Sequence, residues 1–99
     1  MTQQPAFVAE ARFEINPLFR FQWEKSQQAF VLLYPEGIVK LNGTAGEILR
    51  RVSEGKTVGQ TIAELEQTFA HPDIGPGVRR FLETSHAKGW IRIRSGAQA

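Results

Sequence analysis

No cysteine occurs among the 99 residues, and that single absence removes disulfides, thiolate metal ligands and a cysteine nucleophile together. Histidine is almost as scarce: only His71 and His86 occur, apart from each other and from any carboxylate at ligand spacing, so no metal site is expected. No apolar run approaches the roughly 20 residues of a membrane span. The first ten residues have neither the basic stretch nor the apolar core of a signal peptide. The expectation is a cytoplasmic protein without membrane contact. Nor does one sign of charge dominate, since 12 Lys and Arg face 10 Asp and Glu for a net +2. Arginine pairs such as Arg50-Arg51 and Arg79-Arg80 read as solvated helix faces.

Catalytic signatures are missing as well. Ser26, Ser53, Ser85 and Ser95 lie in no nucleophile elbow. The glycines at 75 and 77 build neither a dinucleotide fingerprint nor a phosphate loop with its lysine. Glu64 and Glu66 are two apart on a predicted helix and therefore do not face each other. The chain is read as no enzyme, and as needing no cofactor.

What is present is the composition of an ordinary globular domain, 41% hydrophobic and 22% charged, at a length that supports one core but not two. The reading is a flexible N-terminal segment over residues 1–17, one folded domain over 18–94 and a flexible tail over 95–99. Strand patterns fill the first half. Residues 19–24 place Phe19, Phe21 and Trp23 at a period of two, which predicts a strand with one aromatic, buried face. Residues 29–34 form an apolar run too short for an ordinary helix and rich in strand formers, hence a strand covered on both faces. Tyr34-Pro35-Glu36-Gly37 has the chemistry of a tight turn, and residues 38–41 supply the returning strand of a hairpin.

Helical patterns fill the second half. Thr44-Ala45-Gly46-Glu47 reads as a capping box, in which side chains of the first and fourth residues satisfy each other's backbone amides. Ala45, Ile48, Leu49 and Val52 follow on one face, with Gly55 as the stop. A second box, Thr57-Val58-Gly59-Gln60, precedes Val58, Ile62, Leu65 and Phe69 at helical spacing. The third helix has Asp73 as a capping candidate, Pro76 in its first turn, and Val78, Phe81 and Leu82 as its buried stripe. Gly89 ends it, and residues 90–94 alternate as a short final strand. The fold class is therefore α+β: a winged helix-turn-helix-like arrangement of a three-stranded antiparallel sheet, three helices and a short last strand. The seven large aromatics of these patterns are expected inside the core rather than on a base-stacking surface.

A hairpin whose last strand lies at a sheet edge offers unpaired N–H and C=O groups to which an extended peptide could add itself. The other reading of the same residues is an edge protected by Lys40.

The run Leu32-Leu33-Tyr34-Pro35-Glu36-Gly37-Ile38-Val39-Lys40-Leu41-Asn42, with Thr44-Ala45-Gly46-Glu47-Ile48-Leu49 after it, resembles the signature region of the PqqD family. The likeness continues through Thr57-Val58, Ile62, Phe81-Leu82 and Gly89-Trp90-Ile91. It implies the fold of a RiPP precursor recognition element and a peptide chaperone of pyrroloquinoline quinone biosynthesis, with residues 18–94 as the peptide-recognition domain. The implied partners are the precursor peptide PqqA, bound by strand addition, and the radical S-adenosylmethionine enzyme PqqE, which receives it. Carried over to this chain, the resemblance implies backbone contacts at Ile38, Val39, Lys40 and Leu41, and groove contacts from the third helix at Val78, Arg79, Leu82 and Glu83. The iron–sulfur chemistry would belong to the enzyme, because a chain without cysteine cannot ligate such a cluster in the usual way.

The rival reading is a winged-helix nucleic-acid binder, with Arg79 and Arg80 entering a groove and Arg92 and Arg94 on a wing; no nucleic acid is expected on the leading one. A monomer and a homodimer are both compatible with an unpaired edge.

Overall fold

In the computed structural model, which describes residues 7–94, three antiparallel strands are followed by three helices and a closing strand, as the periodicities predict. The element order is β1 (Phe13–Ile15), β2 (Arg20–Glu24), β3 (Ala29–Tyr34), β4 (Gly37–Lys40), α1 (Gly43–Ser53), α2 (Val58–Thr68), α3 (Gly75–Ala87) and β5 (Ile91–Ile93). Strands β2, β3 and β4 form one sheet in that order, with β3 in the middle. Leu32 and Val31, successive residues of this central strand, are both fully buried, so its centre is covered on both faces.

β1 is the element that periodicity did not foretell. It pairs antiparallel with β5, with Phe13 opposite Ile93 and Ile15 opposite Ile91, and Phe13 lies in the core. The residues just before it are also knit in: the first amides of α2, at Val58 and Gly59, donate to the carbonyls of Ala11 and Ala9 at 2.9 and 2.8 Å. Residues 7–17 are therefore integral to the domain, a correction to the boundary at 17/18. Three residues are too few to display a period, and their partner lies at the other end of the chain. The ends expected to be flexible, residues 1–6 and 95–99, lie outside the described residues.

The helices start and stop by local rules, with two revisions. The capping box of α2 is present in both directions: Thr57 accepts from the Gln60 amide at 3.0 Å, and the Gln60 side chain accepts from the Thr57 amide at 2.9 Å. At α1, however, the cap is Asn42, whose Oδ1 accepts from the Ala45 amide at 2.8 Å. Asn42 is a strong cap two residues earlier, and Glu47 is released to bind Arg50 and Arg51 instead. At α3 the cap position is Ile74 and no side chain, Asp73 included, caps the helix; Pro76 in the first turn has no N–H to satisfy.

All three helices close by the same device. The residue after the cap adopts a left-handed conformation while the next amide reaches back five residues: Lys56 to Arg51, His71 to Glu66 and Trp90 to Ser85, at 3.1, 3.0 and 2.9 Å. This satisfies carbonyls that a helix end would otherwise leave open. Two of the left-handed positions are Gly55 and Gly89, but the third is Ala70, at φ +51°.

Leu49, Ile48 and Val52 of α1, Val58 and Leu65 of α2, and Val78 and Leu82 of α3 meet Phe13, Leu32, Leu41 and Ile91 in one core. Helix α1 approaches β3 so closely that a Cβ on Gly46 would stand 2.8 Å from the Phe30 ring. Arg51, only 6% exposed, bridges Glu47 of its own helix at 2.7 Å and Glu64 of α2 at 2.8 Å. The aromatic residues divide. Phe19, Phe21, Phe30, Phe81 and Trp90 are partly buried against the core, whereas Trp23 and Phe69, expected inside, remain 50% and 41% exposed.

Candidate functional site at the free edge of the sheet

Among the described residues, strand β4 is paired on one side only. Its register sets Lys40 opposite Val31, Val39 opposite Leu32 and Ile38 opposite Leu33, and the Leu41 amide extends the ladder by donating to the Phe30 carbonyl at 3.0 Å. Residues of an antiparallel pair alternate between those that exchange hydrogen bonds with the partner and those whose backbone groups point away. With Leu41 bonded to β3, Val39 and Gly37 are bonded too, and the N–H and C=O groups of Ile38 and Lys40 face outward. That leaves two donors and two acceptors in line along an edge that no described strand covers.

Side chains alternate in the complementary sense. Val39 packs inward against the core, while Ile38 is 54% exposed and Lys40 is exposed on the opposite face. The other edge of the sheet, β2, is guarded by Arg20 and Glu24 at its ends and Gln22 between them, polar residues of the kind that discourage strand addition. β4 has a single charge, Lys40, and a large exposed aliphatic side chain.

The residues that the resemblance singled out differ in exposure. Ile38, Val39 and Lys40 lie on the free edge. Leu41, Val78 and Leu82 are core residues, closed to solvent, because in each case the inward-facing position of the element falls on them. Arg79 is half-buried and donates from Nη1 to the Phe7 carbonyl at 2.6 Å, and Glu83 is exposed one turn further along α3. The main packing partner of β4 is β3, and those of α3 are α2 and β5.

Phe7 is a participant that sequence patterns missed. Its ring stands edge-on to Phe13 at 4.6 Å and to His86 at 5.7 Å, so Phe7 lies against the flank of α3 that bears Arg79 and His86. An isolated aromatic in a Gln- and Ala-rich stretch has no period to betray it. Among the arginines of the rival reading, Arg79 is engaged by Phe7 and Arg92 pairs with Glu14 across the β1–β5 ladder. Among the described residues no three His, Asp or Glu side chains gather as metal ligands, and no helix is long and apolar enough to cross a membrane.

This α+β arrangement has a solved counterpart. The solution NMR structure of the PqqD truncation of Methylobacterium extorquens PqqCD, described as a functional, stand-alone RiPP recognition element, superposes with a TM-score of 0.70 at 24% identity, covering 89% of this chain and 96% of that one. The two share a fold. At the level of sequence, the family model for coenzyme PQQ synthesis protein D (PqqD) matches residues 29–91. A PqqA binding protein of Methylococcus capsulatus is 39% identical over 92 residues, 93% of this chain and 95% of the relative. One of Pseudomonas aeruginosa is 47% identical over 77 residues, 77% of this chain and 84% of the relative. The chain belongs to the PqqD family.

Proposed function

We infer that this chain binds PqqA, the precursor peptide of pyrroloquinoline quinone biosynthesis, as an added strand on β4, and presents it in the cytoplasm to the radical S-adenosylmethionine enzyme PqqE. The observation that carries this reading is the outward row of backbone groups at Ile38 and Lys40, next to an exposed Ile38 side chain. Family membership supplies the peptide, since the similar proteins are named for binding PqqA. Backbone pairing gives affinity with little demand on sequence, and alternate side chains give selectivity. Glu83 is exposed on α3 for a peptide segment that continues past the sheet, whereas Arg79, held by the Phe7 carbonyl, would have to exchange that contact to reach it. Val78, Leu82 and Leu41 support the site from within.

The chain performs no bond-making step in this scheme. Binding orders a flexible peptide and raises its local concentration at the enzyme. The nucleic-acid reading draws no support from Arg79 and Arg92, whose guanidinium groups are already engaged within the chain.

The test is a titration of isotope-labelled protein with PqqA peptide, in the wild type and in Lys40→Pro. Amide signals of residues 38–41 should shift saturably. The variant removes one outward donor and leaves the bonds to β3 intact, so affinity should fall by roughly 3- to 10-fold, the worth of one net hydrogen bond. Unchanged affinity in a folded variant would sink strand addition on this edge.

A further inference from the structure

Two aromatic side chains have no role in the edge itself. Trp23 of β2 and Phe69 at the C-cap of α2 are each about half exposed, although burying such side chains is among the strongest sources of stability in a small domain. They line the same cavity, about 460 Å³ in volume, together with Phe30, Leu41, Asn42 and Glu47. That volume lies in the range of sites that admit a small ligand or one large side chain.

The cavity is built before anything enters it. Trp23 stands edge-on to Phe30 at 5.0 Å, Phe30 stacks on Phe21 at 4.9 Å, and the Phe30 ring is held from the other side by Gly46. The Phe69 backbone is fixed by its N–H, which donates a hydrogen bond to the Leu65 carbonyl at 3.0 Å, and by the left-handed turn at Ala70. Four polar residues share the lining. The Asn42 side chain caps α1, the Glu47 carboxylate is held by Arg50 and Arg51, and the Gln28 side-chain amide nitrogen donates to the Lys25 carbonyl; Thr44 completes the set. With those groups largely engaged, the surface left to a ligand is that of Trp23, Phe30, Leu41 and Phe69, which favours a hydrophobic side chain over an ion.

Its position ties it to the edge. Leu41 is at once the residue that extends the β3–β4 ladder and part of the cavity lining. Trp23, Phe30 and Leu41 stand in one cross-strand row, all three on the lining, and a strand added to β4 would extend that row with the inward-facing residue it sets beside Leu41. We propose that the Trp23–Phe69 cavity seats one aromatic or large aliphatic side chain of the same peptide, immediately beyond the segment paired with β4. This inference rests on the reading of β4 as the docking edge. It adds a side-chain anchor to a contact otherwise made by backbone.

The test uses labelled full-length chain and PqqA peptide, reading the Trp23 indole N–H signal alongside the amides of Ile38 and Lys40. Expected are a saturable shift of the indole in step with the edge amides and a 5- to 30-fold loss of affinity in Phe69→Ala, roughly the effect of truncating an interface anchor. An alanine scan of the peptide leaves the protein's fold untouched. One large apolar residue next to the paired segment should matter in the wild type and lose most of its effect in Phe69→Ala. Edge amides that shift while the indole stays still and Phe69→Ala binds normally would overturn the anchor but leave strand addition standing. No saturable shift anywhere would overturn both.

Discussion

The helical half and the sheet half of this domain treat their backbones in opposite ways. Each helix ends in a left-handed residue with a reach-back amide, α1 and α2 carry side-chain caps at their starts, and an almost buried arginine ties those two helices together. Among the described residues the sheet leaves the outward groups of Ile38 and Lys40 without a partner strand, and exposes Ile38 and Trp23. One half is closed and supplies stability; the other is open and supplies a surface. A domain of this size has little free energy to spare, and the proposed docking of a peptide would cover the apolar side chains and backbone groups that the sheet leaves unburied.

The largest expected effect tests the closed half. Leu49→Ala empties a fully buried position of α1 and should cost about 2–5 kcal/mol, lowering the thermal midpoint by roughly 10 °C or more. Lys40→Pro should cost far less stability while weakening peptide binding. Equal losses of stability in the two variants would erase the distinction between scaffold and edge.

An intermediate effect comes from acid. Burial pushes the Glu47 carboxyl up, but hydrogen bonds from Arg51 and Arg50, with their charges, outweigh it and hold the group below its ordinary value of 4.5. Hydrogen bonds from Lys56 and Arg51 likewise hold Glu64 low. A carboxyl depressed in the folded state adds stability that is complete above the unfolded value and is lost as pH falls through the folded one. Urea midpoints should therefore drop below pH 4.5, and the drop should be shallower in a Glu47→Gln, Glu64→Gln double variant. An identical acid slope in that variant would assign the loss to other groups.

The smallest effect has the opposite sign. Ala70 holds φ +51° where the other two helix ends have glycine, a conformation that costs a residue with a Cβ about 1–2 kcal/mol. Ala70→Gly relieves that strain, and because glycine loses more freedom on folding the net gain should be smaller, roughly 0.5–1 kcal/mol. The readout is the denaturant midpoint, and no gain would mean that the strain at this turn is already relieved by neighbouring contacts.

Much of the fold was legible because its determinants are close in sequence. The Thr57 to Gln60 box, the stops at Gly55 and Gly89, and the alternation from Phe19 to Trp23 all involve neighbours within a turn or a pleat. The cap of α1 was misplaced for the same reason: Asn42 and Thr44 are both good caps, and only the position at which β4 releases the chain chooses between them. The site was less legible. The resemblance directed attention to β4 and α3, but Val78 and Leu82, chosen as groove walls, are the positions that α3 turns into the core. Exposure cannot be read from apolar character alone, since Leu82 and Phe69 are both apolar and only one is covered.

By itself the sequence determined the kind, order and approximate limits of β2 to β5 and of the three helices, because hydrogen bonding and side-chain periodicity act over at most about four residues. Tertiary structure alone decided that Phe13 enters the core through a strand paired with residues near the other end of the chain. It also decided that Phe7 lies on α3, that Ile38 and Lys40 turn their backbone groups outward, and that Trp23 and Phe69 face one another's cavity instead of the core. Each of these depends on which distant surface arrives to cover a residue, and burial is set by that arrival rather than by the residue's own neighbours in sequence.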